Sequence, residues 1–89
     1  MDLDSRLSIP ASVISRGVGD ETVLLDLERG IYFGLDGVGQ RIWESIGAGL
    51  TLGDTAAVIV SEYEVDTTKA QSDVIDFARE LVGRGLLAE

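Results

Sequence analysis

The chain has no cysteine, no histidine and a single proline, and only seven basic residues stand against sixteen acidic ones in 89 positions. Each shortage removes a class of explanation. Without cysteine there is no disulfide framework and no thiolate metal site, so packing alone must hold the fold. Without histidine, the commonest general base and the commonest neutral metal ligand are missing. Together the two absences remove most nucleophile-plus-base arrangements, and the acids are spread through polar positions instead of gathered in an apolar setting that would shift a pKa. Neither catalysis nor a cofactor or metal is expected. The net charge of −9 opposes phosphate backbones and anionic lipid at long range, so nucleic acid and membrane surfaces are not expected partners. No run approaches the roughly 20 apolar residues of a membrane span, and MDLDSRLSIP has neither the basic start nor the apolar centre of a secretion signal. The expected compartment is the cytoplasm.

What is present, 45% hydrophobic and 26% charged residues, describes a single domain over residues 1–89, able to bury roughly 60 to 70% of its unfolded surface. Residues 1–9 show no sustained period and are expected to be flexible. The run from Ala11 to Val18 carries β-branched residues and ends in Gly-Asp turn chemistry, the signature of a first strand. A second, Thr22 to Leu27, groups Val23, Leu25 and Leu27 on one face. Glu28-Arg29-Gly30 then suits a three-residue hairpin loop ending in a left-handed glycine. In the third strand, IYFGL, Ile31, Phe33 and Leu35 share one face and Tyr32 and Gly34 the other. At Asp36, a good helix cap, the period changes to Val38, Ile42 and Ile46, widened by Trp43 and ending at Gly47-Ala48-Gly49. Thr51 with Asp54 resembles a capping box for a second helix whose apolar face is Leu52, Ala56, Ile59, Val60 and Tyr63. Asp66 caps a third helix bearing Ala70, Val74, Phe77, Ala78, Leu81 and Val82, with Gly83 and Gly85 as exits and Leu86 and Leu87 folding back onto the core. The fold class is α+β: a three-stranded antiparallel sheet followed by three helices on one of its faces, winged helix-turn-helix-like.

The glycines of GIYFGLDGVG lack the Lys-Ser/Thr of a phosphate loop and the spacing of a dinucleotide fingerprint, and read as turn and cap residues. Gly34 is the exception, because a glycine inside a strand often marks close approach of another backbone. Trp43 and Tyr63 are expected in the core, and Phe77 either in the core or on the floor of a groove. In a meander the third strand pairs on one side only, and natural proteins defend such an edge with Pro, Lys or inward charge. IYFGL has none of these. The edge is either covered by the protein's own helix, paired with a second copy in a dimer, or open to an incoming strand. A winged-helix DNA-binding regulator is the alternative from the architecture. It is opposed by the third helix, where Lys69, Arg79 and Arg84 face Asp66, Asp73, Asp76 and Glu80, too few cations to neutralise several phosphates.

The combination VLLDLERGIYFGLDGVGQRIWESI, a Thr-Leu-x-Asp helix start, EYEVD and DVIDFARELVGRGLL resembles the PqqD-like family, or RiPP recognition elements, over roughly residues 10 to 88. It is most similar to the stand-alone members of split lasso-peptide gene clusters. The resemblance implies a non-catalytic module that binds the leader of a ribosomally made precursor peptide as an added antiparallel strand beside strand three, in a groove along helix three. Carried over by position, the backbone of Ile31, Tyr32, Phe33, Gly34 and Leu35 would pair with the leader. Val74 and Phe77 would floor the groove, and Lys69, Ala70, Asp73, Asp76 and Glu80 would form its helical wall. Leaders of such systems typically carry a Tyr-x-x-Pro element, and the further partners implied are a leader peptidase and a macrolactam-forming cyclase. A PqqD-like chaperone of another modified-peptide pathway is the alternative within the family.

Overall fold

The computed structural model describes residues 1–89. Its sheet is built outward from a central strand. Strand β1 (Val13–Val18) pairs antiparallel with β2 (Glu21–Asp26), and β2 pairs antiparallel with β3 (Ile31–Leu35), in spatial order β1-β2-β3. The β2–β3 loop has four residues, one more than expected, because Asp26 is still paired with Ile31. It ends as expected in a left-handed residue, Gly30 at φ 67°, a conformation that a side chain disfavours. The Asp26 carboxylate organises the turn by accepting from the Glu28 and Arg29 backbone N–H groups at 3.0 and 3.2 Å.

That role bears on which face of β2 is buried. Val23, Leu25 and Leu27 do share a face, but it is not the core face. The core-facing side of β2 is Thr22, Leu24 and Asp26, with Leu24 fully buried, whereas Leu27 is two-thirds exposed. A buried carboxylate is tolerated because Oδ1 accepts both turn N–H groups and the Arg29 Nε stands 3.8 Å from Oδ2. In β3 the alternation falls as read: Leu35 is buried, Ile31 and Phe33 are half-buried, and Tyr32 and Gly34 lie on the exposed face.

Three helices cover the core face. Helix α1 (Gly37–Gly47), α2 (Leu52–Glu62) and α3 (Thr67–Gly83) each begin at the expected cap: the side chains of Asp36, Thr51 and Asp66 accept from the N–H of Gly39, Asp54 and Lys69. Their apolar stripes meet Val13, Leu24 and Leu35 of the sheet in one cluster that includes Trp43, Ile46, Leu52, Ile59, Val74 and Leu81. Leu86 and Leu87 turn back into this cluster through bonds to the Leu81 carbonyl. Tyr63, expected in the core, is 39% exposed because it falls at the α2 C-cap, where the helix has already ended.

The first nine residues are tied to the rest of the chain rather than loose. Leu7 is buried, the Leu52 and Gly53 N–H groups donate to the carbonyls of Ser5 and Leu3, and Ser8 bridges antiparallel to Ala88. The sequence shows no period there because the segment is a strap with single anchoring points, not a regular element.

Candidate functional site

The open edge of β3 has a definite polarity of hydrogen-bonding groups. Leu27 N–H donates to Ser12 C=O at 2.9 Å, and these residues stand opposite each other in the β1–β2 register. Antiparallel pairing alternates, so Leu25 and Val23 also bond toward β1, leaving Asp26, Leu24 and Thr22 to bond Ile31, Phe33 and Leu35 of β3. Tyr32 and Gly34 therefore aim both their N–H and their C=O away from the sheet. The Asp36 N–H continues the same side and has no backbone acceptor, while its C=O is used by Gln40 N–H in α1. Five backbone groups line this free edge.

Beside it lies a groove of about 320 Å³, lined by Phe33, Gly34, Leu35, Asp36, Val38, Gly39, Ile42, Asp73 and Phe77. Strand β3, the first turns of α1 and the middle of α3 form its walls. Helix caps set this geometry. Asp36 Oδ1 accepts from Gly39 N–H at 2.7 Å, which starts α1 immediately after the strand and turns Val38 and Ile42 toward the space. Gly39 brings α1 close to α3: a Cβ there would stand 3.3 Å from Phe77 Cε2, 3.2 Å from Asp36 Oδ1 and 3.5 Å from Leu35 Cδ2. Within the groove, the glycine crowded by neighbouring side chains is Gly39, whereas nothing lies within 4 Å of a Cβ added at Gly34, on the open edge.

Of the positions singled out in the sequence, Phe33, Gly34, Leu35, Asp73 and Phe77 come together in the groove. Ile31 and Tyr32 complete the edge strand, Tyr32 being 74% exposed on the outer face. Ala70 and Val74 do not belong there. They are 1% and 0% exposed and face the core, because at 100° per residue they lie with Ala78 and Leu81 on the buried stripe of α3. Lys69, Asp76 and Glu80 lie on the neighbouring flank of α3 with Asp73, all exposed. Lys69 Nζ donates to both Asp73 oxygens at 2.9 and 3.0 Å, and this hydrogen bond with its charge attraction raises the Lys69 pKa.

The α1 wall, Asp36, Val38, Gly39 and Ile42, was not anticipated as part of a site. Its signal was the Gly-Val-Gly after the cap, which marks a helix start that must pass close to another element. At the far end Arg84 stacks over Phe33, and Arg29 Nη2 donates to the Arg84 carbonyl at 3.2 Å. The arrangement offers unpaired strand groups, an apolar floor and charged rims, which can hold an extended peptide. No cluster of carboxylates suited to a metal ion is present.

Comparison with known proteins gives the same direction. No curated protein matches the chain. Two solved structures match nearly its whole length. TbiB1 in complex with the TbiA(beta) leader peptide is 41% identical, with TM-score 0.84, covering 90% of this chain and 93% of that one. Lasso peptide synthetase B1 complexed with the leader peptide is 25% identical, with TM-score 0.89, covering 96% and 100%. The family model for coenzyme PQQ synthesis protein D (PqqD) matches residues 21–87, from the start of β2 through the folded-back leucines, and on that span the chain belongs to the PqqD family.

Proposed function

We propose that this protein is a recognition module that binds the leader segment of a ribosomally made precursor peptide in lasso-peptide biosynthesis. The observation that carries the reading is the undefended β3 edge running along an apolar groove, in a chain similar to two leader-bound structures. The leader adds antiparallel to β3, pairing with Tyr32, Gly34 and the Asp36 N–H, and places alternate side chains in the groove. The protein performs no bond chemistry. It holds the precursor for a leader peptidase and a macrolactam-forming cyclase.

Magnitudes require both components. Five backbone hydrogen bonds at about 0.5 to 1.5 kcal/mol each give roughly 2.5 to 7.5 kcal/mol, against an association cost of about 4 to 15 kcal/mol. Strand pairing alone is therefore weak and blind to sequence. Two or three buried leader side chains at about 1.5 to 3 kcal/mol each bring the total toward the roughly 8 kcal/mol of micromolar binding. Specificity then belongs to the groove, where a Tyr-x-x-Pro element meets Phe33, Leu35, Val38, Ile42 and Phe77.

The test is a titration with the leader of the precursor encoded beside this gene, followed by fluorescence anisotropy. Micromolar or tighter binding is expected, together with a large loss in the Phe33→Ala/Phe77→Ala double variant, whose folding is checked by circular dichroism. A leader that does not bind, or that binds the folded double variant equally well, overturns the reading. Salt-sensitive retention of duplex DNA in a gel shift would point instead to a nucleic-acid regulator.

A further inference from the structure

The groove described above is not purely apolar. Two carboxylates, Asp36 from the β3–α1 junction and Asp73 from α3, belong to its lining, and both are exposed. Asp36 forms no ion pair. Its Oδ1 is occupied by the Gly39 N–H, which leaves Oδ2 free. Asp73 already holds a cation, the Lys69 ammonium, contacted through both oxygens. An apolar floor under a carboxylate rim suits a long basic side chain, whose methylene stem covers apolar surface while its charged head stays at the polar margin.

We infer that the groove selects a leader carrying a Lys or Arg whose stem lies along the floor beside the apolar anchors and whose head reaches Asp36 and Asp73, with Lys69 acting as the competing cation in the free protein. The inference rests on the leader-binding reading. It also places the basic residue in sequence. A strand added antiparallel to β3 runs from the Leu35 end toward the Ile31 end, so its basic residue precedes the residue that pairs with Tyr32. Arg29 and Arg84 stand at the opposite end of the groove, where a second cation would meet like charge.

The probes are the leader of the precursor encoded beside this gene and the same peptide with each Lys and Arg of its N-terminal half changed to Gln. Binding is measured to the unmodified protein, to Asp36→Asn and to Lys69→Gln. Asn caps a helix as well as Asp, so Asp36→Asn removes charge while keeping the start of α1, and circular dichroism verifies the fold. The basic leader is expected to lose about two- to fivefold in affinity on Asp36→Asn and to gain by a similar factor on Lys69→Gln, the range for partly exposed ion pairs. The Gln leader is expected to bind the unmodified protein more weakly and to ignore both substitutions. A gain on Lys69→Gln cannot come from damage to the fold. Equal affinity for the two leaders, or a cognate leader with no Lys or Arg in that half that binds fully, overturns the inference while leaving leader binding intact. Failure of every leader to bind removes the reading beneath it.

Discussion

The guanidinium carbon of Arg84 stands 4.9 Å from the centroid of the Phe33 ring, joining the C-cap of α3 to the middle of the edge strand. Glu80 Oε2 lies 3.8 Å from Arg84 Nη2, so the guanidinium is steered as well as stacked. A cation over an aromatic face at an exposed site contributes about 0.5 to 1 kcal/mol. Arg84→Ala is expected to lower unfolding free energy by about that amount, and a double-mutant cycle with Phe33→Leu in urea should recover most of it as coupling. Additive losses would show that the stacking contributes nothing.

The direction of backbone groups in β3 makes neighbouring positions respond oppositely to proline. At Gly34 the N–H points to the free edge, so Gly34→Pro should fold, as edge strands tolerate proline, yet bind the leader at least about tenfold more weakly, since it removes a bond worth about 1 kcal/mol and obstructs the incoming strand. Phe33→Pro removes a bond to β2 and should unfold the domain. Gly34→Ala is the control: nothing lies within 4 Å of the added Cβ, and both fold and binding should survive.

On α3 the split between core and groove predicts separable defects. Leu81 is fully buried, and Leu81→Ala should cost about 2 to 5 kcal/mol of stability, read as a fall in the thermal midpoint. Phe77→Ala removes a half-buried ring from the groove and should weaken leader binding more than it lowers stability. If the two variants show the same ratio of affinity loss to stability loss, the groove is not a distinct site.

Acid pH should weaken the join between α1 and α2. Arg41 Nη2 contacts Glu62 Oε2 at 2.8 Å and Nε reaches both oxygens. The hydrogen bond, with the charge attraction, lowers the Glu62 pKa below its usual value and raises that of Arg41. A lowered carboxylate pKa means stability that is present above the unfolded-state pKa and lost as pH falls through the folded one. Glu62→Gln should therefore differ from the parent protein in urea midpoint at pH 7, and the gap should shrink as the pH falls below the usual carboxylate range. A gap that does not narrow at all as the pH falls would assign the effect to packing.

The elements were readable because caps and periods agree. Asp36, Thr51 and Asp66 each precede an apolar stripe, and the bounds of β3 follow from Gly30 on one side and Asp36 on the other. What could not be read is which apolar residue faces a partner element and which faces space. Val38 and Val74 both sit on helical stripes, yet Val38 lines the groove and Val74 the core, because Val38 lies in the first turn of α1, beside the open edge, and Val74 in the middle of α3. In β2, alternation groups Val23, Leu25 and Leu27 on one face but does not say that the opposite face, with Thr22, Leu24 and Asp26, is the buried one, because Asp26 looks polar until the turn it organises is seen. The flexible start expected for residues 1–9 failed for a related reason: isolated anchors such as Leu7 leave no period.

The pairing of Ser8 with Ala88 has a consequence for tethering. Both ends of the folded chain lie together, the Met1 ammonium 3.5 Å from Glu89 Oε1 and the Leu3 C=O bonded by Gly53 N–H, and none of these residues lines the groove. A tag joined at either terminus would therefore depart from the same spot, which is not among the residues that line the groove.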